Sequence, residues 1–189
     1  EIEKTRRRVN ALEHVMIPEM KETIRLLQFH PSIAAWVIFN EGWGQFDARE
    51  MTEMVRALDP TRQIDHASGW YDQGAGDIKS LHNYFRPLKV KPEERAFAFS
   101  EYGGYTYPVQ EHLYSEKSFG YRTYQNQAQY QKAMDALAEK IRELTEQGLA
   151  AAVYTQLTDV EEESNGILTY DRKVRKWEPQ EAKDFCPKE

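Results

Sequence analysis

The sequence predicts an α/β chain and, more narrowly, the C-terminal portion of a (β/α)8 barrel. Three observations carry this. Helical and strand patterns alternate along the chain, the pattern that builds a parallel sheet from βα units. Short, nearly continuous apolar runs end abruptly in polar residues and glycine, as strands buried on both faces do. Only five strands can be counted in 189 residues, whereas a whole barrel takes eight strands and about 250 residues. The barrel portion is expected over residues 1–175, with 176–189 as a charged C-terminal tail.

Residues 1–28 read as helix, with Ile2, Val9, Leu12 and Met16 on one side and Met20, Ile24 and Leu27 following Pro18. That proline either kinks one helix or opens a second. His30-Pro31 ends the pattern, because the residue before proline avoids helical geometry. Ile33 to Phe39 is the first strand. Asp47 and Glu50 have capping-box spacing ahead of the apolar stripe Met51, Met54, Val55 and Leu58, and Asp59-Pro60 stops that helix. Strands follow at Gln63 to His66, Ile78 to Tyr84 and Ala96 to Ser100. A tyrosine-rich loop runs from Tyr102 to about Arg122. Tyr130, Met134, Leu137, Ile141 and Leu144 then mark a long helix with Gly148 at its C-terminal cap. Leu149 to Leu157 is the last strand.

Composition narrows the partners. A formal charge of −6 without a basic run argues against nucleic acid. No apolar stretch approaches the ~20 residues that span a bilayer, so no membrane partner is expected. The single Cys186 leaves the redox compartment open, with a lean towards a bacterial periplasmic or secreted location. Opening on Glu1 directly into a helical pattern, the chain reads as cut from a longer polypeptide. Eleven Tyr, eight Phe and four Trp serve either as core or as platforms for flat, partly apolar ligands.

Two stretches stand out as chemistry. Trp36-Val37-Ile38-Phe39-Asn40-Glu41-Gly42-Trp43-Gly44 and Phe97-Ala98-Phe99-Ser100-Glu101-Tyr102-Gly103-Gly104 each bring an apolar run to a glutamate followed by aromatic and glycine. Two strand-end carboxylates on one rim could act as an acid and a carboxylate partner, the pair that glycosidic cleavage needs. They could equally be helix-initiating or salt-bridged surface groups. His82, Asp65, His66, Trp43, Trp70 and Tyr154 are further rim candidates, each with a packing role as the competing reading. Glu161-Glu162-Glu163 is either a cation site or a solvated loop.

His30-Pro31-Ser32-Ile33, Phe39 to Asp47, Ser100 to Gly104, and Ala152 to Glu161 with Asn165 to Asp171 resemble segments of glycoside hydrolase family 2. The resemblance runs from about Leu26 to Arg172. It implies a partial (β/α)8 TIM barrel from the helix before strand 4 through strand 8. It implies a retaining exo-β-glycosidase, galactosidase-like, with Glu41 as acid/base and Glu101 as nucleophile. Asn40, Tyr84, His82, Trp43 and Tyr154 would bind a β-glycoside substrate, with no cofactor and no metal. The partners would be that carbohydrate and the parent chain's missing N-terminal barrel strands and β-sandwich domains. A non-catalytic carbohydrate-binding or inactive barrel fragment is the other expectation.

Overall fold

The computed structural model describes residues 2–179; positions 180–189 of the expected tail lie outside the described residues. The chain divides into two compact units, Glu1–Lys79 and Ser80–Glu189. No helix among the described residues is long and apolar enough to cross a membrane.

The first unit opens with α1 (Ile2–Ala11), a π-helical turn at Leu12–Met16 and α2 (Ile17–Leu27). Pro18 sits at the start of α2, where the missing N–H costs least, and the wider π turn just before it absorbs the change. After β1 (Ala35–Asn40) come α3 (Ala48–Leu58) and β2 (Gln63–Ser68). β1 and β2 pair in parallel from Ala35 opposite Gln63 to Asn40 opposite Ser68. α3 buries Ala48, Met51, Thr52 and Val55, the spacing of one helical face. Val55 packs with Ile24 of α2 and Ile64 of β2, and Met51 packs with Phe39 of β1.

The capping box expected at Asp47 does not form. Asp47 has left-handed backbone angles (φ 36°) and its side chain makes no cap hydrogen bond. A side chain caps from extended backbone, so only the Asp47 carbonyl serves, accepting from Met51 N–H at 2.9 Å.

The far end of α3 is fixed by Asp59, which is 2% exposed. Its carboxylate accepts from Trp36 Nε1 at 2.9 Å, Thr61 N at 3.0 Å, Thr61 Oγ1 at 2.6 Å and Arg62 at 2.7 Å. Burial alone would raise the carboxyl, but the bonds from Thr61, Trp36 and Arg62 outweigh it and hold Asp59 well below the usual carboxylate range. A depressed folded value gives stability that is present above the unfolded value near 4 and lost as pH falls further. Asp59→Asn is expected to cost about 1.5–3 kcal/mol at neutral pH and less in acid. Urea unfolding at two pH values reads this.

The second unit contains β3 (Ile78–Asn83), which begins at the unit boundary, and β4 (Ala96–Gly103). β5 (Tyr105–Thr106), β6 (Arg122–Thr123), α4 (Gln127–Thr145) and β7 (Leu149–Thr155) follow. One sheet has the order β3-β4-β7, and β5 and β6 form a small second sheet. Asn126 caps α4, its Oδ1 accepting from Gln129 N–H at 3.0 Å. Tyr130, Met134, Leu137 and Leu144 on α4 pack against Phe97, Phe99 and Tyr102 of β4. The stretch predicted as a tyrosine-rich loop is partly core: Tyr105 and Thr106 are 9% and 1% exposed and pair with Arg122 and Thr123.

Past β7 the chain folds back with its own buried polar cluster. Lys176, at 0% exposed, donates to Asp159 Oδ1 at 2.6 Å, Ser164 O at 2.9 Å and Tyr107 O at 3.1 Å. Trp177 is buried beside it in sequence and donates Nε1–H to Asp135 at 2.9 Å.

Candidate functional site

β4 is predicted to end at Ser100 but runs on to Gly103, so Glu101 lies within the strand. Between Phe99 and Tyr102, β4 carries one residue more than β7 does between the partners Ala152 and Tyr154. Such a bulge twists the strand locally and re-aims a side chain. The extra residue falls at Ser100–Glu101.

Three side chains of the second unit meet the Glu101 carboxylate or its neighbour. Tyr84, just past β3, donates its hydroxyl to Glu101 Oε2 at 2.5 Å and lies 3.1 Å from Thr155 Oγ1 at the end of β7. His82 Nδ1 is 3.2 Å from the same Oε2. The His82 side chain is 1% exposed and the Glu101 side chain 32%, so the imidazole is sealed while the carboxylate keeps one side open. Burial first, and then the Glu101 carboxylate, push the Tyr84 hydroxyl far above the ordinary tyrosine range. Tyr84 therefore keeps its proton and remains a donor to Glu101.

Tyr84 is held in place from the other side. Its ring stacks on Tyr121 at 3.8 Å with 7° between the planes. Gly104 makes the stack possible: a Cβ there would lie 2.5 Å from the Tyr121 ring and 3.1 Å from that of Tyr84. The second glycine of the Glu-Tyr-Gly-Gly string is thus a packing requirement of the site.

Asn40, Glu41 and Trp43 belong to the first unit. Asn40 ends β1 opposite Ser68, and Glu41 N–H donates to Ser68 O at 2.9 Å. Glu41 has φ 52° and Gly42 has φ 76°; a left-handed glutamate is uncommon and marks a tight exit from the strand. Trp43 is 79% exposed. His66, fully buried on β2, accepts from Gln73 N–H at 3.0 Å. Asp65 is also buried on β2.

Tyr154 of β7 is in the second unit, but its hydroxyl faces backbone. It lies 3.2 Å from Tyr105 N and 3.4 Å from Asn165 O, and its ring meets Tyr102 edge-on at 5.8 Å. Thr155 and Tyr121 were not among the sequence candidates. Thr155 had a signal, the polar exit of a strand, the same feature that marked Glu101. Tyr121 had none, since only the fold brings it to Tyr84.

The protein family that matches the chain is the D-subunit of ATP synthase, over residues 1–30. The A-type ATP synthase D-subunit of Pyrococcus furiosus is 63% identical over 30 residues, 16% of this chain and 14% of the relative. The V-type ATP synthase D-subunit of Clostridium botulinum is 71% identical over 28 residues, 15% and 13% of the two chains. That of Acetivibrio thermocellus is 74% identical over 27 residues, 14% and 12%. The chain therefore spans only 12–14% of the length of these curated relatives, and the match falls on α1, the π turn and α2.

These findings overturn the expected membership of glycoside hydrolase family 2: the matching family is the ATP synthase D-subunit. The retaining exo-β-glycosidase activity, its carbohydrate-binding or inactive-fragment counterpart, and the hydrolase classification are corrected with it. So are the carbohydrate substrate, barrel strands and β-sandwich domains expected as partners. The overturned resemblance began at about Leu26, so it shares only the end of the matched segment. Its leading strings also have a local physical cause. Glu41, Gly42 and Gly44 all have positive φ, as do Gly103 and Gly104, and short polar-glycine strings are what a chain needs to turn out of a buried strand.

Proposed function

We propose that residues 1–30 are a helical assembly element, of the kind carried by the D-subunit of A/V-type ATP synthases, that joins the chain to partner subunits of such a complex. The observation that carries this is the identity of 63–74% over 27–30 residues, confined to one helical segment. The surface supports it. Thr5, Val9, Leu12 and Met16 recur at alternating spacings of four and three, the seam of a helix that packs along another. Val9 and Met16 are 43% and 40% exposed, so the seam is open to a partner. Further along, Met16, Met20 and Ile24 share a cleft of about 320 Å³ with Trp36, Ile38 and Val55, deep enough to take an apolar side chain from the partner.

A photo-cross-linking residue at Val9 or Met16 of the full chain, mixed with a purified A-type ATP synthase, tests this. Cross-links to the complex are expected, and Val9→Asp should abolish them, because a charge in the seam is left without water or a partner. Equal cross-linking with and without Val9→Asp would count against the seam.

A second reading concerns the 2.5 Å bond from Tyr84 to Glu101. We infer that Glu101, with Tyr84 and His82, forms a carboxylate site for a polar ligand in the second unit; Asn40, Glu41, Trp43 and Tyr154 remain candidate site residues. Glu101→Gln is expected to lower the Tyr84 hydroxyl's pKa partway towards the ordinary range, with burial retaining the rest. Titration of the labelled Tyr84 ring by NMR reads this, and an unchanged titration would remove Glu101 as the acceptor. For the fold, our reading is a partial (β/α)8 barrel. Its support is parallel pairing of β1 with β2 and of β4 with β7, with helices α3 and α4 between strands.

A further inference from the structure

We propose that the second unit carries an aromatic cage for an organic cation, a quaternary or methylated ammonium group, built from Phe85, Phe119 and Tyr121 beside Glu101. The inference rests on reading Glu101 as a ligand carboxylate.

The ring geometry comes first. Tyr121 has one face covered by Tyr84. Phe85 stands at 76° to Tyr121 with ring centres 5.1 Å apart, and Phe119 at 65° with centres 6.0 Å apart. Two rings steeply inclined to a third present π faces and edges around a common ring. Phe85 and Phe119 are nevertheless 72% and 54% exposed. Burying large apolar rings normally stabilises a fold, and these two instead stay at the surface, fixed against Tyr121. Ring faces carry negative electrostatic potential, so ring clusters bind cations that are too weakly hydrated to remain in water.

Charge points the same way. Tyr84 links the stack directly to the Glu101 carboxylate through its hydroxyl. On the other side, Phe119 is tied to the acidic run Glu161-Glu162-Glu163. Its N–H donates to Glu162 O at 2.7 Å, and its carbonyl accepts from Ser164 N–H at 3.0 Å. Glu161 and Glu163 are exposed. The adjacent Arg122 is directed to Tyr105, with its guanidinium 5.5 Å from that ring's centre. Exposed rings flanked by carboxylates suit a ligand that is apolar in surface and positive in charge. A methylated ammonium has both properties.

The test uses choline as probe on the full chain, with 3,3-dimethylbutan-1-ol as its uncharged isostere. Aromatic NMR shifts should concentrate on Phe85, Phe119 and Tyr121, and choline should bind roughly tenfold more tightly than the isostere. Phe119→Leu should weaken choline several-fold while leaving the isostere nearly unchanged. Phe85→Leu provides the same reading should the Phe119 variant fail to fold, which circular dichroism detects. Equal binding of choline and the isostere, or choline shifts outside these rings, would overturn the cage. Loss on Phe119→Leu without loss on Glu101→Gln would keep the cage and remove the Glu101 reading beneath it.

Discussion

Lys176→Met is expected to destabilise the chain by about 3–5 kcal/mol, because it strands a buried carboxylate. All three ammonium protons of Lys176 are in use, on Asp159 Oδ1, Ser164 O and Tyr107 O. Asp159 Oδ1 also accepts from Gly166 N–H at 2.8 Å, so one pair ties together three loop segments. Burial already pushes the Asp159 carboxyl above its ordinary value and the Lys176 ammonium below its own. Without the lysine, Asp159 rises further. A raised folded value favours the protonated fold, so the variant keeps stability below the unfolded value near 4 and loses it as pH rises through the folded value. The deficit should therefore be small in acid and full at neutral pH. The double change Asp159→Asn with Lys176→Met should recover part of the loss. Urea midpoints at two pH values decide it, and a deficit independent of pH would mean that packing rather than the charge is lost.

Phe99→Ala is the second large effect, at about 3–5 kcal/mol for a large buried ring. Phe99 is 0% exposed, meets Phe97 at 5.5 Å and Tyr102 at 6.4 Å, and faces the α4 residues of the same core. It also begins the bulged stretch that sets Glu101. Loss of the ring should loosen that stretch, so the Tyr84 titration should shift as it does for Glu101→Gln. Phe99→Leu, which keeps most of the volume, should cost much less and leave the Tyr84 signal in place. A shifted Tyr84 titration in the leucine variant would mean that the bulge is not supported by this packing.

Much of the local structure was readable because it follows from neighbours in sequence. The stripes on α3 and α4 fell where the apolar spacing put them, and β1, β2 and β4 followed their apolar runs. What depended on distant partners was not readable. Capping-box spacing at Asp47 says nothing about its left-handed backbone. Ser100 looks like a strand end until β7 is seen to carry β4 on to Gly103. Lys176 and Trp177 read as part of a charged tail, since only Asp159 and Asp135 explain their burial. At the candidate site, Glu101 and Tyr84 were legible from strand ends, while Tyr121 became visible only through the stack that Gly104 permits. The glycine strings after β1 and β4 misled about family, because the requirement for a tight strand exit resembles a motif. The helical segment misled in the other direction: an amphipathic stripe reports a buried or partnered face and does not say what the partner is.

The assembly role of that segment is tested most directly by exchange. Residues 1–30 of this chain would replace the matching segment of the Pyrococcus furiosus A-type ATP synthase D-subunit, beside a control with the same thirty residues shuffled. Incorporation into the complex would be followed by native mass spectrometry. The exchanged protein is expected to assemble and the shuffled control to stay outside the complex. An exchanged protein that fails to assemble, as the shuffled one does, would contradict the assembly role.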